Sequence, residues 1–410
     1  MDARFWILIA VASVYSLHLA ADLLNRRRLV LPLPDAFRNL ITEHDYDRQR
    51  AYCHDRITFG IALSLTTVIA VLGLAGCGVF AWLDSSIREW HFPEAATSLI
   101  FFGVLYVAHV VFTLPFSAYS TFVIEERYGF NRTTFKTFVL DIIKKLLLGS
   151  VIGSIILMTV LWFFNIAGND AWLYCWGAIA TLQVSLTYIA PIVIFPLFNT
   201  YSSLPSGELR NAIETYAGAQ QFPYKDIYVC DASKRSSKGN AFFVGFGKLR
   251  RIALYDTLIK QLSVDEIVAI FAHEVGHYRR HHVPILTALS MTVLALQLWI
   301  FSSIVQMEYM TQAFGFSHHS LHATILVFGY LYIPLDTMLS VVGLWISRCF
   351  EFQADAFAAN TSSATVLVSA LKILGKQNYI HLSPHPLAVV MEHSHPPITQ
   401  RIKALKSCSS

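Results

Sequence analysis

The sequence predicts a mainly helical membrane protein: seven transmembrane helices, with a small cytosolic α+β unit inserted between the fifth and the sixth. Three observations carry this. The 410-residue chain is 55% hydrophobic and only 14% charged, against roughly a quarter charged residues in a soluble domain. Seven apolar stretches reach the roughly 20 residues that cross a ~30 Å hydrocarbon core. The longest polar interval, Asn199 to His282, mixes helical and strand patterns.

The stretches are Phe5 to Leu24, Ile57 to Leu83, Thr97 to Ala118, Leu146 to Asn165, Trp172 to Phe195, Val283 to Gln306 and Leu321 to Ile346. Basic residues follow the first stretch and no small-residue cleavage site is evident, so it reads as a span rather than a signal peptide. AGND between the fourth and fifth leaves room only for a tight hairpin. Within the polar interval, Glu208 to Ala219 has helical composition, while DIYVC (Asp226 to Cys230) and RIALYD (Arg251 to Asp256) read as strands. RSSKGNAFFVGFG suggests a glycine-rich turn leading into a short third strand. The expected divisions are residues 1–197 (spans one to five), 198–282 (the inserted cytosolic α+β unit), 283–346 (spans six and seven) and 347–410 (a C-terminal helical segment).

Lys and Arg concentrate in cytoplasmic loops. The first loop holds Arg26, Arg27, Arg28, Arg38, Arg48, Arg50 and Arg56, and the third holds Arg127, Arg132, Lys136, Lys144 and Lys145; the second has Arg88 alone. Odd loops are therefore expected in the cytosol, with a lumenal amino terminus and a cytosolic carboxyl tail. The net charge of +4 is too small to suggest nucleic acid. Six cysteines without a CxxC pair argue against a disulfide framework or a cysteine metal site.

The chemistry concentrates in FAHEVGHYRRHH, Phe271 to His282. Ser263 to Glu266 reads as a capping box that starts this helix. On it, His273 and His277 stand at i and i+4, so two imidazoles converge on one metal ion. Glu274 sits where a general base reaches a water on that metal, the arrangement of HExxH peptidases. The small Val275 and Gly276 leave room for substrate or a packed neighbour. Catalytic zinc usually takes a third protein ligand. SRCFEFQADAFA, Ser347 to Ala358, offers Glu351 for that place, and Asp355, one turn on, as the acceptor that orients a ligand histidine. His281 and His282, after Arg279 and Arg280, read as an interfacial anchor where the sixth span enters the bilayer. His318, His319 and His322 belong to the opposite side, and Asp336 inside the seventh span should face a polar cavity or a partner.

With SKRSSKGNAFFVGF, ALYDTLI, HEVGH, SRCFEFQADAFA, HSHPPITQRIKAL and TFVIEERYGFN in this order and spacing, the chain resembles the type I CAAX prenyl endopeptidases along nearly its whole length. The resemblance implies seven helices enclosing a large chamber, capped by the protease unit with one Zn2+ facing inward. It implies His273, His277 and Glu351 as ligands and Glu274 as the base. His395 of His395-Pro396-Pro397 would stabilise the oxyanion or substrate, Arg401 would support the ligands beside Asp355, and Asn240 would lie on the edge strand that binds the peptide. Lys238 and Gly239 stand where family members often have histidine and serine, and Gln400 precedes Arg401 where they often have an acid.

The implied activity is removal of the last three residues of prenylated CAAX proteins at the endoplasmic-reticulum or inner nuclear membrane. The implied partners are such substrates and the lipid bilayer. A quality-control protease without a prenyl requirement would carry the same zinc site. A seven-span receptor or transporter would need neither HExxH nor EFQAD.

Overall fold

The computed structural model describes residues 3–244 and 251–408. The chain runs α1 (Ala3–Arg27), α2 (Glu43–Gly76), α3 (Val79–Arg88), α4 (Glu94–Tyr119), α5 (Phe135–Ile166), α6 (Ala171–Ile189) and a short α7 (Phe195–Phe198). The unit that follows is β1 (Tyr201–Ser203), α8 (Glu208–Ala219), β2 (Asp226–Cys230), β3 (Ala241–Val244), β4 (Arg251–Tyr255), α9 (Asp256–Gln261) and α10 (Val264–Arg279). Then come α11 (His282–Ile304), α12 (Glu308–Ala313), α13 (Leu321–Thr361), α14 (Ala364–Gln377), α15 (Pro386–Glu392) and α16 (Ile398–Cys408).

Among the described residues, seven helices are long and apolar enough to cross a bilayer, each overlapping one expected stretch. Their outward faces carry large apolar side chains such as Val111, Trp162, Ile192 and Met338, all exposed, as suits helices whose solvent is lipid. Several boundaries differ from expectation. The second helix begins at Glu43, where Thr42 accepts the Asp45 N–H and caps it, so it carries a charged extension ahead of its apolar part. It also stops at Gly76, because Gly78 adopts φ 70°, a left-handed conformation open to glycine. The expected Ile57 to Leu83 span is therefore two helices. The tail of the seventh span does not end at the expected 346–347 division: α13 continues unbroken to Thr361.

The four strands form one sheet in the order β1-β2-β4-β3. The central pair β2–β4 is parallel and both outer pairs are antiparallel. β1 was not anticipated, since YSS has no apolar alternation to reveal it. The third strand is present, but the Gly245 to Gly247 end of RSSKGNAFFVGFG lies outside the described residues.

A continuous core joins this unit to distant parts of the chain: Phe37 and Ile41 from the first loop, Ile213, Ile227, Phe271, Leu367 and Ile402 share it. The third loop docks beside it, with Arg132 N–H donating to Arg235 O at 3.0 Å and Arg235 gripping Asp141 through two bonds of 2.7 and 2.9 Å. The odd loops and the carboxyl segment therefore meet at one end of the bundle.

The opposite end is tied by a buried polar network. His322 Nε2 meets Asp84 Oδ1 at 2.8 Å and its Nδ1 meets Ser98 Oγ at 3.0 Å. Arg88 bridges Asp84 and Glu94, so α3, α4 and α13 are linked. Glu351 follows His322 on the same helix by roughly 43 Å at 1.5 Å per residue, which keeps this histidine away from the motif as expected. Asp336, between them, is exposed on α13. Between the spans lies a mostly apolar, partly open cavity of ≈ 760 Å³, lined among others by Phe102, Gly153, Leu157, Leu298 and Phe328.

His322→Leu strands the buried Asp84 and Ser98 groups and should destabilise the chain by roughly 2–4 kcal/mol. Thermal unfolding of the full chain in detergent checks this, and an unchanged midpoint would show that the network adds nothing.

Candidate metal centre

The helix that carries the motif starts as the sequence demands. Ser263 Oγ accepts the Glu266 N–H, and Glu266 Oε2 accepts the Ser263 N–H, so two otherwise orphaned donors are satisfied and the helical phase is set. One face of α10, including Ala272, Val275 and Gly276, is buried. The room at Gly276 is taken by a packed neighbour: a Cβ there would meet Ala354 Cα at 3.0 Å and Phe357 Cβ at 3.1 Å. That missing methyl lets α13 lie directly on α10.

The crossing brings His273, His277 and Glu351 together as one candidate metal-holding group. Their potential ligand atoms form a triangle. His273 Nε2 and His277 Nε2 are 3.2 Å apart, His277 Nε2 is 3.3 Å from Glu351 Oε1, and His273 Nε2 is 3.5 Å from Glu351 Oε2. A tetrahedral ion with bonds of about 2.0–2.1 Å has ligand–ligand edges of about 3.3–3.4 Å. The residues present fit such an ion in a second way. Glu351 Oε2 is buried without an aligned hydrogen-bond donor, although His395 Nδ1 lies 2.8 Å away; an orphaned buried carboxylate oxygen is a position suited to a cation.

Asp355 is brought to the other side of His273. Its Oδ1 lies 2.9 Å from His273 Nδ1, leaving Nε2 turned toward the triangle. Arg401, buried in α16, grips Asp355 by a bidentate pair of 2.8 and 2.6 Å and stands 3.4 Å from Glu351 Oε2. Burial opposes protonation of His273, yet Asp355 and Glu351 outweigh it and raise its pKa to about 9. The pocket favours positive charge. Glu274 is half-buried beside His273 on the same helix. His395 is exposed, and its turn is held by Arg348, which donates to the carbonyls of Val389 (2.9 Å) and His393 (2.8 Å).

Asn240 stands immediately before the edge strand β3, with its carbonyl accepting the Tyr255 N–H. The segment before it is pinned: Asn378 exchanges two 3.2 Å bonds with the Gly239 backbone.

One expectation is overturned. His282 is not an interfacial anchor: it is 1% exposed, its Nδ1 is 2.9 Å from His277 Nδ1, and its ring stacks on Phe350 at 4.0 Å and 3°. A continuous helix would put residue 282 about 140° around from residue 277. The chain instead turns at His281, which adopts φ 57°, and α11 begins with His282 folded back on α10. His281 itself is exposed. Regular spacing gave no signal for this contact, nor for Gln353, whose Oε1 meets His282 Nε2 at 3.1 Å, nor for Arg348.

Residues 23–200 match the family model described as CAAX prenyl protease N-terminal, five membrane helices, and residues 203–409 match that of Peptidase family M48. The CAAX prenyl protease 1 homolog of Oryza sativa subsp. japonica is 34% identical over 95% of this chain and 94% of its own length. The chain belongs to the type I CAAX prenyl endopeptidase family. Another member, the CAAX prenyl protease 1 homolog of Homo sapiens, is 33% identical over 92% of this chain and 89% of its own. The crystal structure of S. mikatae Ste24p is similar across 99% of both chains, with a TM-score of 0.94 and 29% identity. As a member of this family the chain is a membrane-embedded metalloendopeptidase.

Gly276→Ala forces α13 off α10, an overpacking that costs roughly 1–3 kcal/mol. Glu351 should then move from the two histidines, and metal retained after dialysis should fall below the wild-type level.

Proposed function

We propose that this chain is a zinc endopeptidase that removes the last three residues of prenylated CAAX proteins. The observation that carries the reading is the triangle of His273, His277 and Glu351, with its unsatisfied carboxylate oxygen, in a chain of this family. His273, His277 and Glu351 would hold the ion. When bound, zinc supplies a Lewis acid and lowers the pKa of water toward ~7.

The remaining work belongs to the protein. Glu274 takes the proton from the attacking water on its carboxylate and returns it to the leaving amine. His395 donates toward the oxygen on which negative charge develops; its exposure keeps it within reach of a peptide, and Arg348 limits the positions its turn can adopt. Asp355, fixed by Arg401, holds the His273 ring in the orientation that points Nε2 inward. The outer edge of β3, beginning beside Asn240, would receive the substrate backbone as an added strand.

Charge asymmetry in the loops supports a lumenal amino terminus and a cytosolic catalytic unit, and the family resemblance supports residence in the endoplasmic-reticulum or inner nuclear membrane. The bilayer has a physical role in this reading: a farnesyl chain gains about 0.8 kcal/mol per buried CH₂ in an apolar phase, so the substrate is already concentrated where the enzyme is.

Glu274→Gln should keep zinc while cleavage of a farnesylated CAAX peptide by the purified chain falls about 10²–10⁴-fold; an unchanged rate would remove Glu274 from the mechanism. Glu351→Ala should lower zinc content itself. Equal cleavage of prenylated and unprenylated peptides would point instead to a protease with no lipid requirement.

A further inference from the structure

Resting on the metal reading, we infer that His282 and Gln353 form a neutral relay that fixes the tautomer of the ligand His277. A ring nitrogen that donates its lone pair to a metal leaves the proton on the other nitrogen. If His277 Nε2 faces the ion, its Nδ1 carries hydrogen and must find an acceptor.

The group opposite, at 2.9 Å, is the Nδ1 of His282. Two imidazole nitrogens share one proton at such a contact, so His282 Nδ1 must be bare and its own proton must sit on Nε2. That N–H needs an acceptor in turn, and Gln353 Oε1 is 3.1 Å away. Every donor then has an acceptor, in one direction, from His277 through His282 to Gln353. Parallel stacking on Phe350 and burial of His282 hold the ring in the plane that this chain of bonds requires. The other ligand is oriented by charge, His273 against Asp355 and Arg401. His282 and Gln353 are thus positioning residues that do for His277, without charge, what Asp355 does for His273.

Gln353 is exposed on α13, so it can be changed without disturbing the core. Gln353→Lys supplies only a donor. It forces His282 to present Nε2 bare and Nδ1–H toward His277, which puts the His277 proton in competition with the ion. Zinc affinity, measured on the full chain in detergent by competition with a chelator, should fall about 10–100-fold, and the visible band of the cobalt(II)-substituted protein should shift. Gln353→Glu keeps an acceptor and should retain zinc near the wild-type level. His282→Phe keeps the stack but removes the acceptor, and should behave like Gln353→Lys.

If Gln353→Lys and His282→Phe bind zinc as tightly as wild type with the same cobalt spectrum, the relay is wrong while the ligand set stands. If the wild-type chain itself holds no zinc, the metal reading falls and the relay with it.

Discussion

The site depends on one close approach, that of α10 and α13 at Gly276. A methyl group at that position would press on Ala354 and Phe357 at 3.0–3.1 Å, so glycine in the fourth position of HEVGH is what lets the two backbones lie this close. Helix α13 is a single 41-residue element that runs from the apolar spans into the unit carrying the metal-holding group. Its last turns carry Glu351, Gln353 and Asp355 to three different partners on or beside α10. A shift at the crossing would disturb all three contacts together.

Charge explains why the same few residues recur in every contact. Glu351 and Asp355 are both buried, and isolated buried carboxylates are costly. Arg401 satisfies Asp355 by a bidentate pair but only approaches Glu351. His395, Arg401 and His273 converge on one oxygen, Glu351 Oε2, at 2.8, 3.4 and 3.5 Å, beside the place where the two Nε2 atoms also meet. These contacts favour positive charge around Glu351, and the raised basicity of His273 expresses the same bias.

What the sequence made legible was whatever follows a regular period. The pairs His273/His277 and Glu351/Asp355 lie one helical turn apart, and an α-helix converts that spacing into a shared face. The capping box fixed where the phase starts. Strands β2 and β4 showed their alternation, and the seven spans showed their length. What stayed hidden arises where the period breaks. His282 reaches His277 only because His281 takes a left-handed conformation, and α2 separates from α3 only at Gly78. A stretch of three polar residues such as Tyr201–Ser203 becomes a strand solely by pairing with β2. Such features depend on a tertiary partner or on one dihedral angle, neither of which a local pattern encodes.

The departures at Lys238 and Gly239 can be followed through the same reasoning. Lys238 Nζ donates to Tyr52 (2.6 Å) and Glu125 (2.8 Å) and lies over the Phe130 ring at 4.5 Å. It therefore ties the approach to β3 to the first and third loops rather than to the metal triangle. At Gly239 a Cβ would meet Gln261 Oε1 at 2.6 Å and Leu258 Cα at 3.3 Å, so a serine there would require Gln261 to move. The Asn378 side chain, directly after α14, bonds both backbone groups of Gly239. Both changes thus bear on how the edge strand is anchored, and a difference in peptide preference is where they would be felt, with the His273, His277 and Glu351 geometry left intact.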